Sequence, residues 1–476
     1  MSFASVFKEK VMYFPPYVQE IIEKLIGLGH SAYAVGGCVR DALLGLIPHD
    51  YDVATSALPQ EIRSAFDNTA DTGEKYGTIT VITSKKPVEV TTYRRDGEYT
   101  DGRRPQSVEF SDSITDDLAR RDFTINAMAA SVNSQIIDLY GGQADLKLGI
   151  IRCVGDPEKR FGEDALRIMR AFRFASQLSF DIEAVTLAAA LDLSRSLSKI
   201  SAERIFYELI NTMMGQKPSS ITPLINSGGL EFLGISHADG LYLLDGHANK
   251  LQRESAFAAF CFLCGVSPKE ICLKLRSDKY LLEKSSAVFK ALCFPPADIA
   301  DKKRALTVPG EEYIYDAVYL CCLFGRFGAS PKSAARQGCG SKAAKSGKDH
   351  SQSGLTSCTA DKPKSGLKSD AFISCGAKIH SQSAGLPFDD YARHKQQIDY
   401  ILKSGEAYKL SMLAVNGNDI AKISKSKEQI GKILNFLLDY VIEHPEKNQK
   451  ECLLKAAKKY IDEVLLKDDG TDMLHA

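Results

Sequence analysis

Two aspartates separated by a single tyrosine, Asp50 and Asp52, are the residues of this chain whose type and spacing point most directly to chemistry. Tyr51 and Val53 give them the apolar setting of a strand, on which residues i and i+2 share a face. Two like charges held that close disfavour each other unless a cation lies between them. Because hard oxygen ligands suit Mg²⁺, we interpret the pair as a magnesium site.

A glycine pair, Gly36 and Gly37, precedes the aspartates. It ends the apolar run that finishes at Val35, and a short helical pattern follows it. Glycines let backbone N–H groups at the start of a helix approach an anion closely, as a triphosphate requires. Taken separately, a glycine pair is usually a turn, and two aspartates at this spacing usually belong to a solvated strand edge.

The two features together are more specific, with Arg40-Asp41 and Leu43-Leu44-Gly45 between them. In this order they resemble the signature of the class II nucleotidyltransferases, the family of tRNA CCA-adding enzymes and bacterial poly(A) polymerases. The resemblance covers about residues 12–325 and 388–465.

This resemblance implies nucleotidyl transfer and assigns roles to the motif. Asp50 and Asp52 would be catalytic residues that bind the metal. Glu89, on the alternating strand pattern of residues 88–93, would be the third catalytic carboxylate. From the residues alone, an outward-facing strand position without a role is an equal alternative for Glu89. The triphosphate would be bound by Gly36, Gly37 and Arg40.

Arg120 and Arg121 form a second motif, just before Asp122. We predict a helix after them with Phe123 on its inner side, and arginine is not favoured at a positive helix N-terminus. A bound anion would remove that conflict, although a surface arginine pair is the simpler alternative. The resemblance assigns Arg121 to nucleotide binding and leaves Asp122 and Asn126 as supporting residues.

Asp164, Arg167, Arg170 and Arg173 recur at three-residue intervals on a predicted helix over Asp164–Ala175. Side chains at i and i+3 are neighbours on a helix surface, and an ion pair there contributes only about 0.2–0.5 kcal/mol. Three arginines in line with one acid exceed what such a pair requires. We therefore interpret this face as binding an anionic or hydrogen-bonding ligand, and assign all four residues to nucleotide binding.

Base-edge chemistry gives a selection rule for Asp164 and Arg167. The carboxylate accepts from the exocyclic amine of cytosine or adenine, and the guanidinium donates to the adjacent ring nitrogen. Uracil and guanine present an oxygen and an N–H there, so both contacts become repulsive, which discriminates by about 10⁴ or more. The pair would accept CTP and ATP without a nucleic-acid template, as the family resemblance also implies.

The elements that must position these residues change along the chain. The first 150 residues mix strand and helix patterns, which predicts a small, mostly antiparallel sheet with flanking helices. Helical periods dominate afterwards, which predicts an α/β head followed by an all-α remainder. The resemblance identifies these as a nucleotidyltransferase head and an all-α neck, body and tail. The predicted divisions are residues 1–150 for the catalytic head, 151–215 for a neck that selects the base, 216–329 for the body, 330–386 for an insertion, and 387–476 for a tail that binds tRNA.

Two polar segments interrupt this organisation. Residues 330–386 are Ser, Gly, Lys and Ala with almost no large apolar side chains, so they are predicted to be disordered. The lysines would contact phosphates only weakly, and a solvated expansion without function is the more economical interpretation. The loop Glu98–Pro105 resembles the one that helps CCA-adding enzymes switch from adding C to adding A. On its residues alone, an ordinary surface turn remains an alternative.

Composition excludes several classes of protein. The 476 residues carry 60 basic and 60 acidic side chains, so no global basic field attracts nucleic acid. No apolar run approaches the roughly 18 residues of a membrane span, and the N-terminus lacks the apolar segment of a secretory signal. The 12 cysteines are expected to be reduced thiols of a cytoplasmic protein, with Cys261 and Cys264 buried in a helix.

These observations predict an enzyme that adds CCA to the 3′ end of tRNA from CTP and ATP, with release of pyrophosphate and Mg²⁺ as cofactor. The expected partners are the tRNA 3′ end and the two nucleotides, with no membrane and no protein partner. A poly(A) polymerase, or an enzyme that adds only CC or only A, is the nearest alternative. A non-catalytic RNA-binding protein is a more distant one, and loss of either aspartate would have favoured it.

The insertion supplies a testable prediction. Replacing residues 331–383 with a short flexible linker should leave folding and CTP addition intact, because loops of low apolar content contribute little to a core. Thermal unfolding and CTP incorporation by the shortened chain measure this outcome. A cooperative loss of stability on deletion would show that the segment is folded.

Overall fold

The computed structural model describes residues 14–97, 107–306, 311–327, 388–424 and 426–465. The predicted loop 98–105 and the predicted insertion 330–386 lie outside these ranges. The chain divides into two compact units, each described separately below. The first consists of Met1–Phe260 and Glu270–Asp278, and the second of Cys261–Lys269 and Lys279–Ala476.

All β-strands formed by the described residues lie in the first unit. They are β1 (Ala32–Val35), β2 (Asp52–Thr55), β3 (Thr69–Gly73), β4 (Thr78–Ile82), β5 (Pro87–Thr92), β6 (Arg94–Asp96), β7 (Val108–Phe110), β8 (Met128–Ala130), β9 (Ile136–Asp138), β10 (Ile150–Ile151) and β11 (Asp181–Ile182). Seven of them form one sheet in the order β3-β4-β5-β2-β1-β8-β9. β6 and β7 form a separate antiparallel pair, and β10 and β11 a parallel one.

Neighbouring strands of the large sheet run antiparallel, except that β2 and β5 are parallel. The parallel register sets Asp52 directly beside Glu89, and the antiparallel register sets Asp52 opposite Val35. In β5 the residues on either side of Glu89, Val88 and Val90, are buried while Glu89 is exposed, as a period of two requires. The predicted fold class is confirmed, and its one parallel pair brings two carboxylates together.

Helices of the first unit flank this sheet and then follow it along the chain. They are α1 (Pro16–Gly27), α2 (Gly37–Leu43), α3 (Pro59–Ala65), α4 (Ile114–Ala119), α5 (Gly142–Leu148), α6 (Pro157–Glu163), α7 (Leu166–Leu178), α8 (Ala184–Asp192), α9 (Ala202–Met213), α10 (Thr222–Asn226), α11 (Arg253–Leu263) and α12 (Pro268–Leu275). α7 packs against α9, and most of its residues are buried. Its apolar residues Ile168, Met169 and Phe172 form core there.

Two elements around the predicted catalytic motifs differ from the sequence prediction. β2 begins at Asp52, so Asp50 lies in a bend before the strand and does not share a strand face with Asp52. The segment after Asp122 is a 3-10 turn, Thr124–Asn126, that leads into β8 instead of a helix. β8 is buried between β1 and β9, and this position in the sheet outweighs the helix propensity of its Met and Ala residues.

The prediction that a helix begins at Asp164 was wrong about its first residue. α7 begins at Leu166, and Asp164 is extended (φ −144°) between α6 and α7. Its carboxylate accepts the backbone N–H of Leu166 at 3.0 Å, as capping residues do at helix starts. Asp164 and Arg167 are therefore not one turn apart on a helix surface.

In the second unit, all regular secondary structure of the described residues is helical. Beyond the ends of α11 and α12, its helices are α13 (Lys279–Cys293), α14 (Ile299–Leu306), α15 (Glu311–Leu323), α16 (Phe388–Ser404), α17 (Gly417–Ala421), α18 (Lys427–Glu443) and α19 (Lys450–Tyr460). One apolar cluster includes Ile314, Val318 and Ile398, and another includes Leu437 and Leu453. These clusters join α14 to α16 and α17 to α19, respectively.

Cys261 and Cys264 are both buried, as predicted. Cys261 lies in α11, whereas Cys264 lies in the turn that follows this helix. Among the described residues, no single helix is long and apolar enough to cross a membrane. One bent pair of helices, Arg253–Leu263 with Pro268–Leu275, meets that test jointly, by length and composition only.

Ionisable side chains are buried in the second unit. Lys302 is fully buried and donates to carbonyls of the preceding turn, and Lys303 forms an ion pair with Glu406 at 2.5 Å. The His394 ring stacks on Phe327 with centroids 3.9 Å apart. His394 is 4% exposed, and neither ring nitrogen has a hydrogen-bond partner in the described part of the chain.

The buried histidine predicts a pH dependence of stability. The pKa of His394 is lowered to about 4, chiefly by burial, with Lys302 and Arg393 also lowering it and Asp390 opposing them. Because an unfolded histidine has a pKa of about 6.5, the unfolded chain binds more protons between these two values. The free energy of unfolding should therefore have its full value above about pH 6.5 and decrease as the pH falls towards 4.

Urea unfolding followed by circular dichroism at about pH 7 and pH 5 measures this change. His394→Leu removes the titrating group and should flatten the pH dependence. His444→Leu, which removes a half-exposed histidine of the same unit, is the control and should leave it unchanged. Equal pH dependence in wild type and His394→Leu would refute the prediction.

Candidate active site

The predicted carboxylates are anchored by an aromatic residue between them. Tyr51 is buried, and its ring makes edge contacts with Phe14 and Tyr17 at centroid distances of 6.4 and 6.2 Å. Asp50 and Asp52, on either side of it, are exposed. Burial of the middle residue thus holds both aspartates at the surface.

Asp52 has an environment that disfavours its negative charge. The pKa of Asp52 is raised to about 6, because desolvation and the neighbouring charges of Glu89 and Asp50 raise it while Arg121 opposes them. A divalent cation would relieve this repulsion, and the donors are all carboxylate oxygens, which suit a hard cation. No group of three or more His, Cys, Asp or Glu side chains is assembled for a metal within the described ranges. Two carboxylates with substrate phosphates are nevertheless the usual ligand set for Mg²⁺.

Two of the predicted arginines, Arg40 and Arg121, approach the glycine turn. Gly36 has φ +78°, and a Cβ atom there would be 2.7 Å from Nη1 of Arg121. A Cβ atom on Gly37 would be 3.6 Å from Nη2 of Arg40. Both the backbone conformation and the close guanidinium therefore require glycine at position 36.

Arg121 is held by a buried acid. Asp117, with no exposed surface, pairs with Arg121 at 2.9 Å and with Arg120 at 2.6 Å. Both arginines follow the C-terminal end of α4, where the helix dipole favours cations. The conflict predicted for a helix N-terminus does not arise, so it no longer argues for a bound anion. Asp117 is what orients this predicted nucleotide-binding residue.

Arg40 is held by polar and aromatic contacts. Its guanidinium donates to Asp41 at 2.8 Å and to Oδ1 of Asn126 at 2.7 Å, and it lies 5.0 Å from the ring centroid of Phe174. The amide nitrogen of Asn126 in turn donates to Asp122 at 3.1 Å. Asn126 and Asp122, predicted as supporting residues, thus fix the orientation of Arg40.

Arg170 and Arg173 share the same aromatic ring. Their guanidinium carbons lie 5.3 and 4.0 Å from the centroid of Phe174. Arg170 pairs with Asp122 at 2.6 Å, and Arg173 donates to the buried Glu208 of α9. Burial alone would raise the pKa of Asp122, but Arg170 and the Asn126 hydrogen bond lower it to about 2. These arginines are therefore part of a neutralised network around Phe174.

Asp164 and Arg167, the predicted base-selecting pair, each have an ionic partner. Asp164 pairs with Arg204 of α9 at 2.7 Å, and Arg167 pairs with Glu163 at 2.6 Å. Arg167 also donates to the main-chain oxygen of Arg120 at 3.2 Å. The structure thus brings α6, α7 and α9 together around these two residues.

Three partners of the site residues, Asp117, Glu163 and Phe174, were not predicted from sequence. The i, i+4 spacing of Asp117 and Arg121, and of Glu163 and Arg167, was a signal that could have found two of them. Phe174 was assigned to the apolar core. Arg204 and Glu208 lie in residues 202–209, which resemble the family's motif for a neck helix that supports the nucleotide pocket, but their individual partners were not predicted.

Comparison with known proteins finds two family matches in the first unit and a solved structure of similar fold. Residues 32–152 match the family described as "Poly A polymerase head domain", and residues 179–233 match "Probable RNA and SrmB- binding site of polymerase A". A crystal structure of the Bacillus stearothermophilus CCA-adding enzyme in complex with CTP aligns with 94% of this chain and 100% of that one, at 27% identity and a TM-score of 0.67. The chain is therefore similar in sequence to the poly A polymerase head family over residues 32–152, and similar in fold to a CCA-adding enzyme.

Curated relatives that are CCA-adding enzymes match less than half of this chain. The CCA-adding enzyme of Leuconostoc mesenteroides is 50% identical over 201 residues, which cover 42% of this chain and 50% of that enzyme. The one from Ligilactobacillus salivarius is 51% identical over 198 residues, covering 42% and 49%. The chain thus spans about half the length of the curated relatives it matches.

The close contact between Gly36 and Arg121 gives a testable prediction. In Gly36→Ala the new Cβ would lie 2.7 Å from Nη1 of Arg121, so the guanidinium must move. We expect the affinity for CTP to fall by about tenfold or more, because a charge-assisted contact is worth about 1.5–3 kcal/mol. Calorimetric titration with CTP measures the affinity, and thermal unfolding measures any loss of stability.

Two comparisons separate the arginine from general backbone strain. Gly141→Ala also places alanine at a positive φ (+76°), but nothing lies within 4 Å of its Cβ, so CTP affinity should be retained. In an Arg121→Ala background, Gly36→Ala should add little further loss of affinity. A full additional loss in that background would show that Gly36 acts independently of Arg121.

Proposed function

We propose that this chain is a template-independent nucleotidyltransferase that builds or repairs the CCA end of tRNA from CTP and ATP. The main observation behind the proposal is the direct pairing of Asp52 with Glu89 on parallel strands, next to the turn at Gly36. The B. stearothermophilus enzyme crystallised with CTP supports the nucleotide class. The curated relatives, which are CCA-adding enzymes, support tRNA as the acceptor.

In the proposed reaction the terminal 3′-hydroxyl of tRNA attacks the α-phosphate of the nucleotide. A bond forms between that oxygen and phosphorus, the bond to the bridging oxygen breaks, and pyrophosphate leaves. Asp50, Asp52 and Glu89 are the proposed catalytic residues. Desolvation and the neighbouring carboxylates raise the pKa of Asp52 to about 6, and a bound cation would favour its ionised form.

Mg²⁺ is the cofactor that we propose, with Asp50 and Asp52 as its protein ligands. When bound, it would activate the hydroxyl and neutralise charge on the leaving pyrophosphate. The carboxylates fit this ion because they supply only oxygen donors and repel each other without a cation.

Arginines around the glycine turn are proposed to bind the nucleotide. Gly36 and Gly37 would let the backbone approach the triphosphate, near the guanidinium groups of Arg40 and Arg121. Arg170 and Arg173 are assigned to the same nucleotide-binding site.

Base selection is assigned to Asp164 and Arg167. The carboxylate would accept from the exocyclic amine of cytosine or adenine, and the guanidinium would donate to the adjacent ring nitrogen. Uracil and guanine reverse both groups and would be rejected. One pair would thus serve both CTP and ATP.

The nearest alternative is a poly(A) polymerase, or an enzyme that adds only CC or only A. The motif at residues 98–105 weighs against these by sequence, although it lies outside the described residues. A non-catalytic RNA-binding protein is disfavoured by the presence of both Asp50 and Asp52.

The remaining assignments follow from this function. Residues 1–150 are proposed to be the catalytic head, 151–215 the base-selecting neck, 216–329 the body and 387–476 the tail that binds tRNA through its phosphates and shape. The proposed location is the cytoplasm, where tRNA and nucleoside triphosphates are found together.

The function predicts a defined set of products. With tRNA ending before C, before CA and before A, wild type should add the missing nucleotides from CTP and ATP and nothing from UTP or GTP. Asp50→Ala and Asp52→Ala should abolish incorporation yet keep tRNA affinity within a few-fold, because phosphate contacts lie elsewhere. Product sizes on denaturing gels and filter binding of tRNA measure the two effects.

Asp71→Ala is the matched control, because it removes an exposed carboxylate of β3 whose ionic partner is Arg63. It should retain full incorporation. Near-normal turnover in Asp52→Ala would remove the metal assignment, and long A tracts made by wild type would favour the poly(A) polymerase instead.

A further inference from the structure

Three apolar side chains are exposed at the edge of the large sheet where β2 begins. They are Leu46, Ile47 and Ile82, with exposed fractions of 53%, 94% and 51%. Two exposed lysines, Lys85 and Lys86, lie in the turn that follows Ile82. We call these five residues the edge patch. Single exposed apolar residues are ordinary, but several of them together with lysines indicate a binding surface.

The edge patch is built from two segments that a hydrogen bond joins. Nζ of Lys86 donates to the main-chain oxygen of His49 at 3.0 Å, which ties the turn after β4 to the bend that contains Asp50. The hydroxyl of Thr83 orders that turn by accepting the backbone N–H groups of Lys85 and Lys86 at 3.2 and 3.1 Å. The lysines are therefore presented by a structured turn.

Strand registers place the edge patch next to the proposed catalytic carboxylates. β4 ends at Ile82, which pairs with Pro87 at the start of β5, and Glu89 follows Pro87 by two residues. Glu89 in turn pairs with Asp52 on β2. At about 3.3 Å per residue, Lys86 lies roughly 10 Å from Glu89 along the strand direction. One extended ligand can therefore contact the lysines and present its end to the carboxylates.

The carboxylates separate the turn after β4 from the proposed nucleotide site. The sheet order is β4-β5-β2-β1, so Glu89 and Asp52 lie between that turn and the glycine turn after β1. Arg40 and Arg121 approach the glycine turn. In phosphoryl transfer, the attacking and leaving oxygens lie roughly in line on opposite sides of phosphorus. A nucleotide bound at the glycine turn therefore leaves the side at β4 and β5 for the attacking strand.

The lysines have charge and donors available for an anion. Neither Lys85 nor Lys86 forms an ion pair within the described ranges, and Lys86 uses one of its three N–H groups on His49. Asp67, just before β3, is an exposed acid at the same end of the sheet and offsets one of the two charges. Cations beside exposed apolar groups suit single-stranded nucleic acid, whose phosphates are negative and whose unpaired bases have apolar faces.

We propose that the edge patch binds the unpaired 3′ end of the acceptor RNA. Lys85 and Lys86 contact its phosphates, and Ile47 packs against an unpaired base. This inference rests on the proposed function, in which the 3′-hydroxyl of tRNA is the nucleophile. Contacts to phosphates and base faces do not depend on sequence. Such contacts suit an RNA end whose last nucleotide changes after every addition.

An RNA hairpin that consists of an acceptor stem with an unpaired 3′ end tests this binding. Fluorescence anisotropy measures its affinity for the full chain at about 50–200 mM salt. Lys85→Gln should lower the affinity about fivefold and reduce the slope of log K against log salt by about 0.7, the value for one phosphate of a single strand. Ile47→Ser should lower the affinity by about the same factor and leave the slope unchanged. Affinity for CTP should stay within about twofold in both variants.

Lys24→Gln and Ile26→Ser are the matched controls. They change the same residue types on α1, where Ile26 is 47% exposed. α1 precedes the start of β1, whereas Asp52 lies opposite the end of β1, so both controls lie away from the carboxylate edge. Neither should change the hairpin affinity or its salt slope. A hairpin without unpaired nucleotides is the control RNA, and its affinity should be the same in wild type and all four variants.

The outcomes distinguish this inference from the proposed function. A wild type that incorporates neither CTP nor ATP on tRNA would overturn the proposed function, and this inference with it. An active wild type whose hairpin affinity and salt slope are unchanged in Lys85→Gln and Ile47→Ser would overturn the inference alone. An equal loss of affinity for the hairpin without unpaired nucleotides would also overturn it. Light scattering that shows a self-associating wild type and a monomeric Ile47→Ser would assign the patch to a second copy of the chain instead.

Discussion

The candidate site depends on one constraint: guanidinium groups in or near the interior must each have an acidic, carbonyl or aromatic partner. The structure meets it by letting single acids serve two partners. Asp117 binds Arg120 and Arg121, and Glu163 binds Arg160 and Arg167. Because each acid joins two groups, displacing one arginine disturbs another, and the site behaves as a connected network. The acids that join groups in this way are Asp117, Asp122, Glu163 and Glu208.

The sheet meets a different requirement, which is to bring like charges together. An all-antiparallel sheet would be simpler to form, yet the parallel pairing of β2 with β5 sets Asp52 beside Glu89. Antiparallel pairing with β1 then sets Asp52 opposite Val35, one residue before Gly36. Three segments distant in sequence thus meet at one edge through backbone registers alone. The arginine network has only to orient the groups around that edge.

Much of this could be predicted from sequence where the signal was local. Strand alternation located Glu89, and the family motif located Asp52 and Arg121. The prediction failed where tertiary context outweighed propensity, as in β8, whose Ala and Met residues form a central strand. The family motif placed Glu208 on the supporting neck helix, but its partner Arg173 was not predicted, because the two lie 35 positions apart and no periodic pattern connects them. Long-range ion pairs have no signature in a single sequence, whereas pairs at i, i+4 do.

Asp52 and Asp122 show how the electrostatic environment differs between two parts of the candidate site. Both are desolvated, which on its own raises a carboxyl pKa. Asp122 nevertheless has its pKa lowered to about 2, because Arg170 and Asn126 supply positive charge and a hydrogen bond. Asp52 has its pKa raised to about 6, because Glu89 adds negative charge and Arg121 compensates only in part. The protein therefore neutralises its own acids around Phe174 but leaves Asp52 with unbalanced negative charge. A site that must bind a cation together with an anionic nucleotide requires this division, since a carboxylate already neutralised by arginine would have little affinity left for a metal ion.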